Sequence, residues 1–148
     1  MIAQGRESET RETPMRQRTD CYCNELRKAG RRLSARYEAA LAPAGVNVGQ
    51  FSMLRQVDHA GEISLTELGR RAELDRSTVG RNARVLVRGG LLDSAPGADR
   101  REATLRLTPQ GRETLAAAFP LWTQAQAEIE AALGRDAAKA LRRVLSEI

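Results

Sequence analysis

Few side chains in this sequence are suited to covalent chemistry, and those few lie apart. Its 148 residues hold one histidine, His59, and two cysteines, Cys21 and Cys23. There is no G-x-S-x-G turn, no phosphate-cradling glycine loop and no carboxylate pair in a plausible site, so an enzyme is not expected. One histidine far from both thiols cannot complete a four-ligand zinc site, and neither a metal nor a cofactor is expected. Two readings of Cys21-Tyr22-Cys23 stand side by side. One is a small buried apolar cysteine beside an incidental one. The other is a redox switch, because helix amino-termini favour thiolate and its oxidation. Residues two apart on a helix point roughly 200° apart, so an internal disulfide is not expected without unwinding.

The arginines offer another chemistry. Between Asp75 and Gly89 the sequence predicts a helix over Arg76–Arg88. At about 100° per residue, Val79, Ala83 and Leu86 share one side, while Ser77, Arg81, Arg84 and Arg88 share the other. Such a helix can bury one face and offer the other to a DNA major groove. Ser77 and Thr78, with Arg76, stand at the amino end for base edges or phosphates; Arg81 can fork onto a guanine, with Asn82 beside it. The plainer alternative is a solvated face on a surface helix. A Pro96-Gly97 and Asp99-Arg100-Arg101 loop between two alternating segments then reads as a basic hairpin tip. Arg100 or Arg101 would enter a minor groove, with Asp99 bracing a neighbouring arginine.

The elements that position these groups follow from periodicity. Residues 1–19 are polar, of mixed charge, and read as a disordered arm. Leu26, Gly30, Leu33, Tyr37 and Leu41 trace one face of a first helix, stopped by Pro43 and Gly45. A second helix from about Val48 to Asp58 presents Phe51, Leu54 and Val57 inward. Ile63–Leu65 can form at most a very short strand. Ser64 and Glu67 have capping-box spacing, starting a helix whose inner face is Leu65, Leu68 and Ala72. After the turn around Ala72–Asp75 comes the arginine-striped helix, then strands at Leu91–Ser94 and Ala103–Leu107. Thr108-Pro109 opens a long helix with Leu115, Phe119, Trp122, Ile129 and Leu133 inward and a kink expected at Pro120. After Gly134, a last helix gathers Leu141, Val144, Leu145 and Ile148 on one face.

Composition agrees with a globular nucleic-acid binder. Hydrophobic residues are 41%, the formal net charge is +5, and only Lys28 and Lys139 of the 24 basic residues are lysine. A GC-rich genome would give the same arginine bias. Aromatics at 3% are too scarce for single-strand stacking platforms. No window has the roughly 18 apolar residues of a membrane span, and no signal-peptide core follows Met1, so a cytoplasmic protein without membrane contact is expected. Apolar rows at both ends exceed what a small winged core can cover, which points to a partner subunit.

The segments LTELGRRA (Leu65–Ala72), DRSTV (Asp75–Val79), GGLL (Gly89–Leu92), Asp99-Arg100-Arg101 and LTPQGR (Leu107–Arg112) resemble the multiple-antibiotic-resistance regulator (MarR) family over about residues 20–148. The resemblance implies a mainly α winged helix-turn-helix fold with six helices and a β-hairpin wing. Dimerisation helices would lie in 20–45 and 108–148, and the DNA-binding lobe in 48–107. It further implies a homodimer on pseudo-palindromic double-stranded DNA, usually a repressor released by a signal. The helix holding Ser77, Thr78, Arg81 and Asn82 would read the major groove, Arg101 the minor groove, with Asp99 supporting it. The family includes organic-peroxide sensors whose reactive cysteine matches Cys23 and one of whose tyrosines matches Tyr37. Arg27 and Val48 stand where two further tyrosines of that pattern belong. Its commoner signal is a small aromatic acid or phenol, for which Arg31, Arg32, Tyr37, His59 and Trp122 could line a cleft; each also reads as a packing or surface residue. Two other functions fit a winged helix: a sequence-blind architectural DNA binder, and a protein-interaction module, which would be poor in arginine on helix and wing.

Overall fold

Most helices of this chain begin on a side chain that accepts a backbone N–H, and those caps divide it into elements. The structure, a computed structural model, describes residues 21–97 and 102–148. Helix α1 spans Tyr22–Leu41 and ends in a 3-10 turn at Ala42–Ala44. Helix α2, Val48–Ala60, starts at a reciprocal Asn47/Gln50 capping box that the helical pattern alone does not announce. Strand β1 is only Ile63–Ser64, followed by α3 (Leu65–Ala72) and α4 (Arg76–Arg88). Strands β2 (Leu92–Pro96) and β3 (Ala103–Leu107) lead into α5 (Pro109–Leu133) and α6 (Arg135–Glu147). Among the described residues the fold is thus six α-helices with one small sheet, mainly α as the pattern predicts.

The sheet order is β1-β3-β2, both pairings antiparallel. Ile63 faces Leu105 across one edge, and Leu92 faces Leu107 across the other. Two details depart from expectation. The first wing strand begins at Leu92, not Leu91, and runs on through Pro96, which pairs with Ala103. Proline lacks a ladder donor, and β2 is an edge strand, so it is tolerated there. At α3, Ser64 accepts from the Glu67 amide as expected, but the Glu67 carboxylate binds Arg70 and Arg71 instead of closing the box.

The described chain divides by contacts at Arg32/Leu33. In the first unit, Cys21–Arg32 are exposed throughout, so Leu26 and Gly30 are not the buried row that their spacing suggests. In the second, Leu41, Phe51, Met53, Leu54, Val57, Leu68, Val79, Leu86, Leu92, Leu105 and Leu115 form one core. Phe119 and Leu133 lie outside it, both nearly half exposed. Phe119 leans on Trp122 and Arg55 at the surface, and Leu133 lies at the carboxyl end of α5, where only Ala138 of α6 is buried. Helix α5 is helical through Pro120.

Candidate nucleic-acid interface

Helices α3 and α4 meet through a turn that closes tightly. Glu73 adopts a left-handed conformation (φ 52°) at the carboxyl cap of α3, and the Leu74 amide donates to the Gly69 carbonyl. A Cβ at Gly69 would lie 3.2 Å from the Leu74 carbonyl oxygen, so glycine lets the two helices approach. Asp75 then starts α4. Its carboxylate accepts the Thr78 amide (2.9 Å) and the hydroxyls of Ser77 and Thr78 (both 2.6 Å). Those hydroxyl bonds hold the Asp75 carboxyl well below the ordinary carboxylate range. The hydroxyls of Ser77 and Thr78, expected at base edges, thus donate to the cap in this state.

Helix α4 sorts as its periodicity predicts. Val79, Ala83 and Leu86 are buried at 0–3% exposure, while Arg76, Ser77, Arg81, Asn82, Arg84 and Arg88 are exposed and Thr78 is half-buried. Among the described residues none of the four α4 arginines forms an ion pair. By contrast Arg70 and Arg71 of α3 are tied to Glu67, whose carboxyl their hydrogen bonds bring down to about 2. The α4 guanidinium groups therefore stay available to phosphate or base acceptors. Asp99, Arg100 and Arg101 lie outside the described residues. The strands that carry them close at a neck, where the Gly97 amide donates to the Glu102 carbonyl at 2.7 Å.

Within the second unit the predicted residues Tyr37, His59 and Trp122 do not line one cleft. Cys21 and Cys23 are both exposed at the start of α1, and Arg31 and Arg32 are exposed further along it. Tyr37 donates its hydroxyl to Gln126, which in turn donates to Glu130 at 3.1 Å; Glu130 also accepts from Arg142. Burial raises the Tyr37 phenol above its ordinary value, with Arg142 opposing. This chain links α1, α5 and α6 rather than lining a cleft.

A cleft of about 890 Å³ opens between α2, α3 and α5. Of the predicted ligand residues only His59 lines it, alongside Arg55, Gln56, Arg71, Arg112 and Phe119. Trp122 stands behind Arg55, whose guanidinium lies 4.5 Å from the indole centroid. Among the described residues the Gln56 side-chain oxygen there is buried without a hydrogen-bond partner. Sequence reasoning missed Arg55, Gln56, Arg71 and Arg112, because residues from three helices share no local spacing. It also missed Glu102, whose carboxylate accepts from the Thr66 amide across the neck of the wing.

Comparisons with known proteins agree with this geometry. The MarR family model matches residues 44–102. The transcriptional regulator MosR of M. tuberculosis, solved in complex with DNA, is 36% identical, with 85% of this chain and 97% of that chain covered and a TM-score of 0.73. The transcriptional repressor CouR, solved on a 23-mer DNA duplex, is 28% identical over 86% of this chain and 92% of that one, with a TM-score of 0.78. A single-site mutant of MarR from E. coli, complexed with operator DNA, has the same fold at 20% identity, covering 84% and 91%, with a TM-score of 0.78. No curated protein matches the chain. With the helix-turn-helix, the three-stranded wing sheet and these likenesses together, the chain belongs to the MarR family of winged-helix transcription regulators.

Proposed function

We propose that the chain acts as a homodimeric repressor that binds a pseudo-palindromic operator through α4 and the wing. The observation that carries this reading is the division of α4. Its apolar side is anchored in the core, and its arginines point away from it with no ionic partner among the described residues. Arg81, Asn82, Arg84 and Arg88 would lie in the major groove, with Arg76, Ser77 and Thr78 at its phosphate edge. Asp99, Arg100 and Arg101 would serve the adjacent minor groove. Dimerisation through 20–45 and 108–148 would set two such helices about one DNA turn apart, roughly 34–36 Å. Exposed Leu141, Val144, Leu145 and Ile148 at the carboxyl end support that assignment.

Footprinting on the gene's own upstream region tests the reading. A regulator protects one or a few pseudo-palindromes, whereas an architectural protein protects everything. Arg81→Ala should cost about 1–3 kcal/mol of specific binding. Arg101→Ala should weaken binding and flatten its salt dependence. Parent-like footprints from both variants would remove the proposed contact surface.

For the releasing signal, a small aromatic acid in the α2/α3/α5 cleft is favoured by three arginines that gather there, Arg55, Arg71 and Arg112. Thiol oxidation is the second reading, supported by the exposure of Cys21 and Cys23 at the start of α1. Cys23→Ser should abolish peroxide-induced release while leaving reduced-state DNA binding intact. Release of that variant by peroxide at the parent dose excludes the thiol.

A further inference from the structure

The wing is weakly held by its own strands. β3 has partners on both sides only at Thr104 and Leu105, where β1 reaches it. Towards the tip the described part of the hairpin is two-stranded, with Pro96 opposite Ala103 and the Gly97 amide on the Glu102 carbonyl. Two-stranded hairpins are marginal by themselves and twist readily. One side chain counters this. Glu102, directly after Arg101 in sequence, sends its carboxylate to the Thr66 amide at 3.2 Å. That amide belongs to the first turn of α3, where helix geometry leaves donors without partners. The cap residue Ser64 serves the Glu67 amide, so Glu102 supplies what the cap does not. Two residues along, the Thr104 hydroxyl donates to Glu62 at 2.6 Å, making a second tie to the segment before β1.

We propose that Glu102 is the positioning residue of the wing. Its hydrogen bond to α3 fixes the strand end next to Arg101 against the helix-turn-helix, and with it the spacing between minor-groove and major-groove contacts on one duplex. The Glu102 carboxyl is held below its ordinary range by the polar groups of Thr66 and Ser64 beside it, with the charge of Arg76 of α4 adding to the effect. It therefore sits as an anion where wing, α3 and α4 converge.

The role rests on the DNA-binding reading above, and the test separates the two. The full chain is bound to the duplex it selects from a random-sequence pool, and hydroxyl-radical footprints are compared for parent, Glu102→Ala and Glu102→Gln. Glu102→Ala should keep the central protection, lose the flanking minor-groove protection, and bind on the order of tenfold more weakly. Glu102→Gln keeps an acceptor for the Thr66 amide and should restore both. A wing that was merely destabilised would shift the thermal midpoint without this selective loss. Parent-like flanking protection in Glu102→Ala overturns the proposal, as does Glu102→Gln failing to the same extent as Glu102→Ala. A parent chain that selects no sequence overturns the DNA-binding reading itself.

Discussion

Helices α4 and α6 are both 13 residues long, amphipathic and arginine-bearing, yet they meet opposite fates. In α4 the apolar side is complete within the subunit, with Val79, Ala83 and Leu86 buried. In α6 only Ala138 is buried, and Leu141, Val144 and Leu145 remain 37%, 47% and 50% exposed. Their starts differ too. Asp75 caps α4 with three hydrogen bonds, whereas α6 follows Gly134 with no side-chain cap. The same pattern thus gives a rigid rod where the core closes over it, and an open apolar face where nothing among the described residues does. A contact helix must hold its arginines still, which requires the first condition; an association surface requires the second.

Matched truncations should break this comparison most sharply. Leu86→Ala should cost about 2–5 kcal/mol in urea unfolding at any protein concentration, because it empties a closed core. Leu141→Ala should instead give a loss that grows on dilution, as expected when a partner covers the side chain. Equal, concentration-independent losses would mean that α6 packs only within its own subunit.

Next in size is the charge test on the open face. Leu145→Asp should halve the mass seen by light scattering and lower operator affinity about 100-fold, because two linked half-sites become independent. An unchanged mass would place the subunit contact elsewhere.

The smallest effect concerns the caps. The folded Asp75 carboxyl lies below its unfolded value, so its stabilisation is complete above about pH 4 and is lost as pH falls through the folded value. Asp75→Asn keeps an acceptor for the Thr78 amide but removes the titration. It should flatten part of the acid limb of the thermal-midpoint profile below about pH 4. An unaltered acid limb would show that the carboxylate network adds nothing beyond neutral capping.

Much of the winged region was legible because its information is local. The bounds of α4 follow from Asp75 and the glycine pair at 89–90, and its buried row from the helical period alone. The Pro109 start of α5 and the Ala103–Leu107 strand were equally readable. Failures came where a long-range partner competes with a local rule. Glu67 has the spacing to close a capping box but meets two arginines. Phe119 has the spacing of a core residue, yet it faces the cleft while its neighbour Ala118 takes the place in the core.

By itself, then, the sequence determined the order of elements, the anchored and outward sides of α4, and the family, because caps, periodicity and short motifs act between near neighbours. Only the tertiary structure decided which distant groups meet. It placed Glu102 on the Thr66 amide and joined Tyr37 to Gln126. It also required glycine at 111, where a Cβ would fall 2.0 Å from the Leu91 carbonyl oxygen. Such contacts depend on how strands and helices stack in three dimensions, and no spacing along the chain encodes that distance.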